Sequence, residues 1–231
     1  MIVAIDGPSG AGKSTVSKAV AARIGFSCLD TGAMYRAVAW QALENGVSLD
    51  DAEGLERIAR TYDIDFIREE GNPIPQGTTI GGVDVSTEIR TARIDRSVSL
   101  VSKVAGVRAA LVDQQRRIGH AGNYVVEGRD IGTVVFPDAY CKVFLTASAE
   151  ERARRRVAQN AQRGVGSTDY EEVLADIRHR DEVDSTRAES PLVPADDAVQ
   201  IDSTNYTIDQ MIDMISNLAI ERQASASKDK A

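Results

Sequence analysis

An apolar run, Ile2-Val3-Ala4-Ile5, breaks at Asp6 into Gly7-Pro8-Ser9-Gly10-Ala11-Gly12-Lys13-Ser14-Thr15, and an alanine- and valine-rich stretch follows to Ile24. A strand that ends in glycines and re-enters as a helix turns successive backbone N–H groups toward one point, at the positive end of the helix dipole. The pattern is G-x-x-x-x-G-K-[ST], a loop that cradles phosphate between strand and helix. In such a loop Lys13 can reach the β- and γ-phosphates of a nucleotide, and Ser14 can place its hydroxyl on Mg²⁺. Residues 7–15 are therefore all candidate nucleotide-binding positions, and the chain around them is expected to be α/β.

The periodicities agree. After the first strand and helix, residues 27–30 read as a short strand. Residues 33–44 read as a helix that stops at Asn45-Gly46, and 48–62 as a capped acidic helix. The character changes over 63–86, where alternation at 63–67 and Gly81-Gly82 predict a small hairpin or three-stranded sheet. Helical patterns resume from 87 to 118. Compact apolar runs at 124–126 and 140–145 predict buried parallel strands, with helices at 149–161 and 170–183, a last strand at 199–202 and a helix at 208–222. A five-stranded parallel core results, with residues 36–108 inserted into it and the glycine-bearing 157–168 as a short lid. The small polar residues 223–231 read as a disordered tail.

Composition removes several classes. A net charge of −8 leaves no basic stripe for nucleic acid. No run of about 18 apolar residues exists, and no charged segment precedes an apolar one at the start, so neither a membrane span nor a secretory signal is expected. Cys28 and Cys141 lie apart in apolar segments and read as buried thiols of a cytoplasmic protein. With His120 and His179 the only histidines, a histidine metal site is not expected. Of the 27 basic residues only six are lysine, which suits bidentate phosphate clamps.

A phosphate loop alone serves switches, motors and small-molecule kinases. The chain has no N-K-x-D and no L-S-G-G-Q. The strand at 124–126 runs into Glu127-Gly128-Arg129-Asp130 rather than an Asp-Glu pair that would activate water. Arginines stand after strands and on late helices: Arg36, Arg129, Arg180 and Arg187. Two polyanions brought within bonding distance need several cations, which favours a kinase with a phosphate acceptor. Arg180, Asp184 and Arg187, spaced i, i+4, i+7, share a helix face. That spacing fits a salt-bridged surface as well as a ligand clamp.

Five blocks resemble the cytidylate kinases, the short bacterial type of the nucleoside monophosphate kinases: GPSGAGKST at 7–15, LDTGAMYR at 29–36, VDVSTEIRT at 83–91, EGRDIGTVVFPDA at 127–139, and RDEVDSTRAESPLVPADDA at 180–198. The resemblance implies transfer of the γ-phosphoryl of ATP to CMP or dCMP with Mg²⁺, by a monomer. It also implies a nucleoside-monophosphate-binding part with a family insert near 63–101. By position it makes Thr31, Tyr35, Arg36 and Arg129 acceptor-binding, with Arg36 and Arg129 at the acceptor phosphate. Arg180 and Asp184 become ribose readers, Arg187 a phosphate ligand, and Ser99, Arg108 and Asp130 readers of cytosine. Lys13, Arg129 and Arg187 become the residues that carry the transfer. Two arginines common in relatives are replaced by Val183 and Ser185, and Glu127 stands where some relatives have Asp. The acceptor oxygen is already anionic at neutral pH, so no general base is expected. The alternatives are a kinase for UMP or AMP, or a nucleotide-dependent switch.

Overall fold

The structure, a computed structural model, describes residues 1–228. Along the chain come β1 (Ile2–Asp6), α1 (Lys13–Ile24), β2 (Ser27–Asp30), α2 (Thr31–Glu44), α3 (Ala52–Thr61), β3 (Ile64–Ile67), β4 (Gly77–Ile80), β5 (Val83–Asp84), α4 (Ala92–Val101) and α5 (Ala105–His120). After these follow β6 (Tyr124–Gly128), β7 (Cys141–Thr146), α6 (Ala149–Arg163), α7 (Tyr170–Thr186), β8 (Val199–Asp202) and α8 (Ile208–Lys228). The chain divides into two compact units, one of Met1–Leu29 with Gly119–Ala231, the other Asp30–Ile118.

The first unit is built on a five-stranded parallel sheet of order β2-β6-β1-β7-β8. Central strands carry apolar side chains on both faces because both faces are covered. Val3, Ala4 and Ile5 of β1 are fully buried, and every residue of β6 is buried. Helix α1 packs on β6 and α8, and α6 packs on α7 around Ala153, Val173, Leu174 and Ile177. Register is what positions the site. Ile5 pairs with Glu127 and Asp6 with Gly128, so the loop leaving β1 and the loop leaving β6 emerge side by side at the carboxyl edge of the sheet.

The second unit packs α2 against α3, α4 and β4, with the antiparallel sheet β3-β4-β5 beside them. Three departures from the sequence expectation here have a capping reason. Helix α2 starts at Thr31, because Asp30 Oδ1 accepts the N–H of Ala33 at 3.0 Å. Helix α3 starts only at Ala52, where the Asp51 carboxylate accepts from Gly54. The helical stretch from 87 is broken into a 3₁₀ turn (Glu88–Arg90), α4 and α5, with the Thr91 hydroxyl capping α4.

The expectation of a disordered tail from 223 is corrected for its first part. Helix α8 continues to Lys228, and the Ser225 hydroxyl donates to the Glu221 carbonyl within it. Residues 229–231 lie outside the described residues. Of the segment read as a lid, 157–163 belong to α6 and only the remainder joins α6 to α7. Both cysteines are buried and neither forms a disulfide. Among the described residues no helix is long and apolar enough to cross a membrane.

Candidate active site

The loop at 7–15 owes its shape to close approach. Gly7 has φ +147°, and a Cβ there would sit 1.9 Å from the carbonyl oxygen of Leu145 in β7, so no other residue passes this point without displacing a central strand. Helix α1 begins at Lys13 with no side-chain cap and no acidic residue in its first turn. Its first N–H groups thus face the loop as donors for an anion. Lys13 is 7% exposed, and its ammonium donates to the carbonyls of Gly7 and Pro8, each at 2.7 Å. Burial pushes its pKa well below the ordinary lysine value, and Arg129 and Arg180 push the same way against Glu127 and Asp6. A polyanion beside Lys13 relieves that burden. The Ser14 hydroxyl donates to Glu127 Oε2 at 2.8 Å, so the serine expected at a metal ion sits against the glutamate that stands where some relatives have Asp.

The residues after β6 and those on α7 meet in a buried charge cluster. Arg129 Nε donates to Asp184 Oδ2 at 2.9 Å, and Arg187 Nη1 lies 3.9 Å from Asp184 Oδ1. Arg187 Nε also donates to the Ser190 carbonyl at 2.6 Å. Burial raises the Asp184 carboxyl, but Arg129, Arg180 and Arg187 together outweigh it and hold the group below the usual carboxylate range. The expectation that Arg180, Asp184 and Arg187 share one helix face is corrected, because α7 ends at Thr186 and Arg187 follows it in extended backbone; Asp184, 4% exposed, is no solvated surface charge. It works as a bracket that keeps guanidinium groups together despite their mutual repulsion.

Sequence reasoning missed two further parts. Asp6, 5% exposed, accepts the N–H groups of Ile131 and Gly132, each at 2.8 Å. Burial raises its pKa to about 6 against those two hydrogen bonds, with Asp130 adding to the rise and Lys13 opposing it. Its partners lie 125 and 126 residues away, so no local pattern signals it. The second part separates Arg152, Arg154, Arg155 and Arg156. Buried Arg152 forks onto Asp181 at 2.9 and 2.6 Å and donates to the Ser9 carbonyl at 3.2 Å. Arg156, one turn on, donates to the Ser9 hydroxyl at 3.0 Å. Arg154 pairs with Glu151 in solvent, and Arg155 holds Glu151 and Ser203. The i, i+4 spacing of 152 and 156 was the available signal.

In the second unit, the Arg108 guanidinium lies 5.5 Å from the centre of the Tyr35 ring and donates to the Ser102 carbonyl at 3.4 Å. Thr31 is buried at the start of α2, and Ser99 is half-buried on α4. Arg36 forms a close ion pair with Asp95 and donates to the Ile89 carbonyl at 3.4 Å. Asp30 is raised by burial and lowered further by Arg90 and its capping bonds, and so stays ionised.

The comparisons with known proteins agree with this geometry. The family model described as cytidylate kinase matches residues 3–221. A cytidylate kinase from Geobacter sp. (strain M21) is 48% identical over 228 residues, covering 99% of this chain and 96% of that protein. One from Mycolicibacterium paratuberculosis is 49% identical over 229 residues, covering 98% of each. Another, from Fusobacterium nucleatum, is 46% identical over 94% of this chain and 95% of its own length. Because the match takes in the loop at 7–15, the stretch at 127–139 and the cluster on α7 alike, this chain belongs to the cytidylate kinase family.

Proposed function

We propose that this protein transfers the γ-phosphoryl of ATP to CMP or dCMP, giving ADP and CDP or dCDP. The observation that carries the reading is one buried cluster in which the loop lysine, Lys13, shares its electrostatics with Arg129 and Arg180, while Asp184 binds Arg129 and faces Arg187. A lysine suited to the donor's phosphates and arginines suited to a second phosphate are what a phosphate-to-phosphate transfer requires.

In this reaction a phosphate oxygen of CMP attacks the γ-phosphorus. That P–O bond forms as the bond to the β-bridging oxygen breaks, and ADP leaves with the electron pair. The attacking oxygen is anionic already, so the protein's part is to position and to neutralise. Lys13 and the backbone N–H groups of residues 7–15, Pro8 apart, hold the donor. Arg129 and Arg187 neutralise the phosphoryl charge, and Arg180 with Asp184 reads the ribose. Thr31, Tyr35 and Arg36 are assigned to the monophosphate, and Ser99, Arg108 and Asp130 to cytosine. Residues 36–108 serve as the monophosphate-binding part and 157–168 as the lid. The Ser14 hydroxyl and the Glu127 carboxylate are hard oxygen donors of the kind Mg²⁺ takes, and they fit it. When bound, the ion would neutralise charge on the donor's phosphates. The protein is read as a cytoplasmic monomer.

The test is ADP release, followed by a coupled assay, with CMP, dCMP, UMP, AMP and no acceptor. Turnover stimulated by CMP and dCMP far above UMP supports the reading. Equal turnover with UMP removes the base assignment, and turnover indifferent to every acceptor removes the kinase.

A further inference from the structure

Immediately after Arg129-Asp130 the chain makes one wide turn of π-helix, Ile131–Val135, in which the Val135 N–H reaches the Asp130 carbonyl at 3.1 Å and that of Phe136 reaches Ile131 at 2.7 Å. Turns of this width are uncommon and recur at functional sites. The opening N–H groups of any helical turn have no partner inside it. Asp130, the residue in the capping position, supplies no side-chain cap. Both groups are taken instead by the two carboxylate oxygens of Asp6, the residue directly before Gly7.

We propose that Asp6 is a positioning residue for phosphoryl transfer: its carboxylate anchors the turn that presents Arg129 and Asp130 to the last residue before the phosphate loop. It touches no reacting atom, and it rests on the kinase reading above. One carboxylate thus sets the loop that neutralises the acceptor against the loop that holds the donor. The site leaves no slack for this. A Cβ on Gly132 would lie 3.1 Å from Lys142 Cδ and 3.4 Å from Asp6 Oδ2, so the turn is pressed against the carboxylate from its other side. Lys142 itself is fastened, donating to the Pro137 carbonyl at 2.5 Å and to Asp197 at 2.9 Å.

The test compares the parent with Asp6→Asn and with Gly132→Ala. Asparagine keeps the volume but offers one oxygen, and sets its amino group against the second backbone donor. Amide exchange at Ile131 and Gly132 should rise at least about tenfold in Asp6→Asn, since a backbone donor loses its partner, with the amides of β1 and β6 unmoved. The kcat/KM for CMP should fall about 10²-fold, the scale on which small misplacement of reacting groups acts. Calorimetric affinity for ADP should stay within about threefold, because the Lys13 hydrogen bonds to Gly7 and Pro8 are kept and Asp6 is the weakest of the charges acting on Lys13. Gly132→Ala moves the turn with the carboxylate intact, and should give the same CMP-selective loss at about tenfold. It carries the test alone if Asp6→Asn does not fold. Unchanged exchange, full efficiency on CMP, or equal weakening of CMP and ADP overturns the proposal. A parent protein that turns over no monophosphate overturns the kinase reading instead, and the exchange measurement then decides by itself whether Asp6 holds the turn.

Discussion

Replacing Asp184 by Asn removes the charge that holds three guanidinium groups together while keeping the side chain's volume. The carboxylate is 4% exposed, accepts from Arg129 Nε at 2.9 Å and lies 3.9 Å from Arg187 Nη1. Losing one partner of a buried ion pair costs about 3–5 kcal/mol, because the opposite charge stays buried without compensation. Asparagine retains an acceptor and Arg129 keeps some solvent contact, so the lower figure, about 3 kcal/mol, applies. For a chain of this size that is a fall of roughly 6–12 °C in Tm.

The sign with pH follows from the direction of the shift. Because Asp184 sits below its ordinary value of 3.8 when folded, its stabilisation is present above that value. It is lost as pH falls through the lower folded value. The gap between parent and variant should hold steady from pH 8 to about 5 and close only in acid. Pyrophosphate offers a diagnostic, since it supplies negative charge to the same guanidinium groups. It should raise the Tm of Asp184→Asn by more than that of the parent. Thermal unfolding followed by circular dichroism reads all three effects. A loss under about 1 kcal/mol, or equal stabilisation of both proteins by pyrophosphate, would refute the bracket role.

Lys13→Ala should lower turnover with CMP by about 10³-fold or more while the far-ultraviolet spectrum is retained, since the ammonium's work is charge stabilisation; near-normal turnover would show that the loop does not hold the donor. Arg129→Lys and Arg187→Lys keep the charge but lose the planar fork, so KM for CMP should rise more than KM for ATP in steady-state assays, and equal changes would count against the division of roles. Asp130→Ala should cut activity on CMP and narrow its lead over UMP, because a carboxylate that accepts from the cytosine amino group has no partner on uracil; a lead that stays as wide would remove Asp130 from base reading.

Local chemistry was legible where it is written in adjacent residues. The strand–glycine–lysine–helix passage at 2–24 declares its phosphate loop because each part of that device is a neighbour of the next. Strands β6 and β7 show in the sequence as the apolar runs 124–126 and 140–145 because burial on both faces demands it. Helix limits were less visible. The acidic helix begins at Ala52 rather than 48 because Asp51 caps it, and α8 outlasts its apolar pattern by a turn and more because hydrogen bonds along a helix continue without a buried face to mark them.

The sequence by itself determined the strand–glycine–lysine–helix loop, the alternation of strands and helices, and the arginines able to serve a phosphate. Tertiary structure alone decided which charges meet. Asp6 reaches Ile131 and Gly132, Ser14 meets Glu127, Asp184 gathers Arg129 and Arg187, and Arg152 rather than Arg154 braces Ser9. Periodicity reports which side of an element is buried, a property of residues three or four apart. The partners of Asp6 and Glu127 are set by the register of parallel strands β1 and β6, which joins residues more than a hundred positions apart.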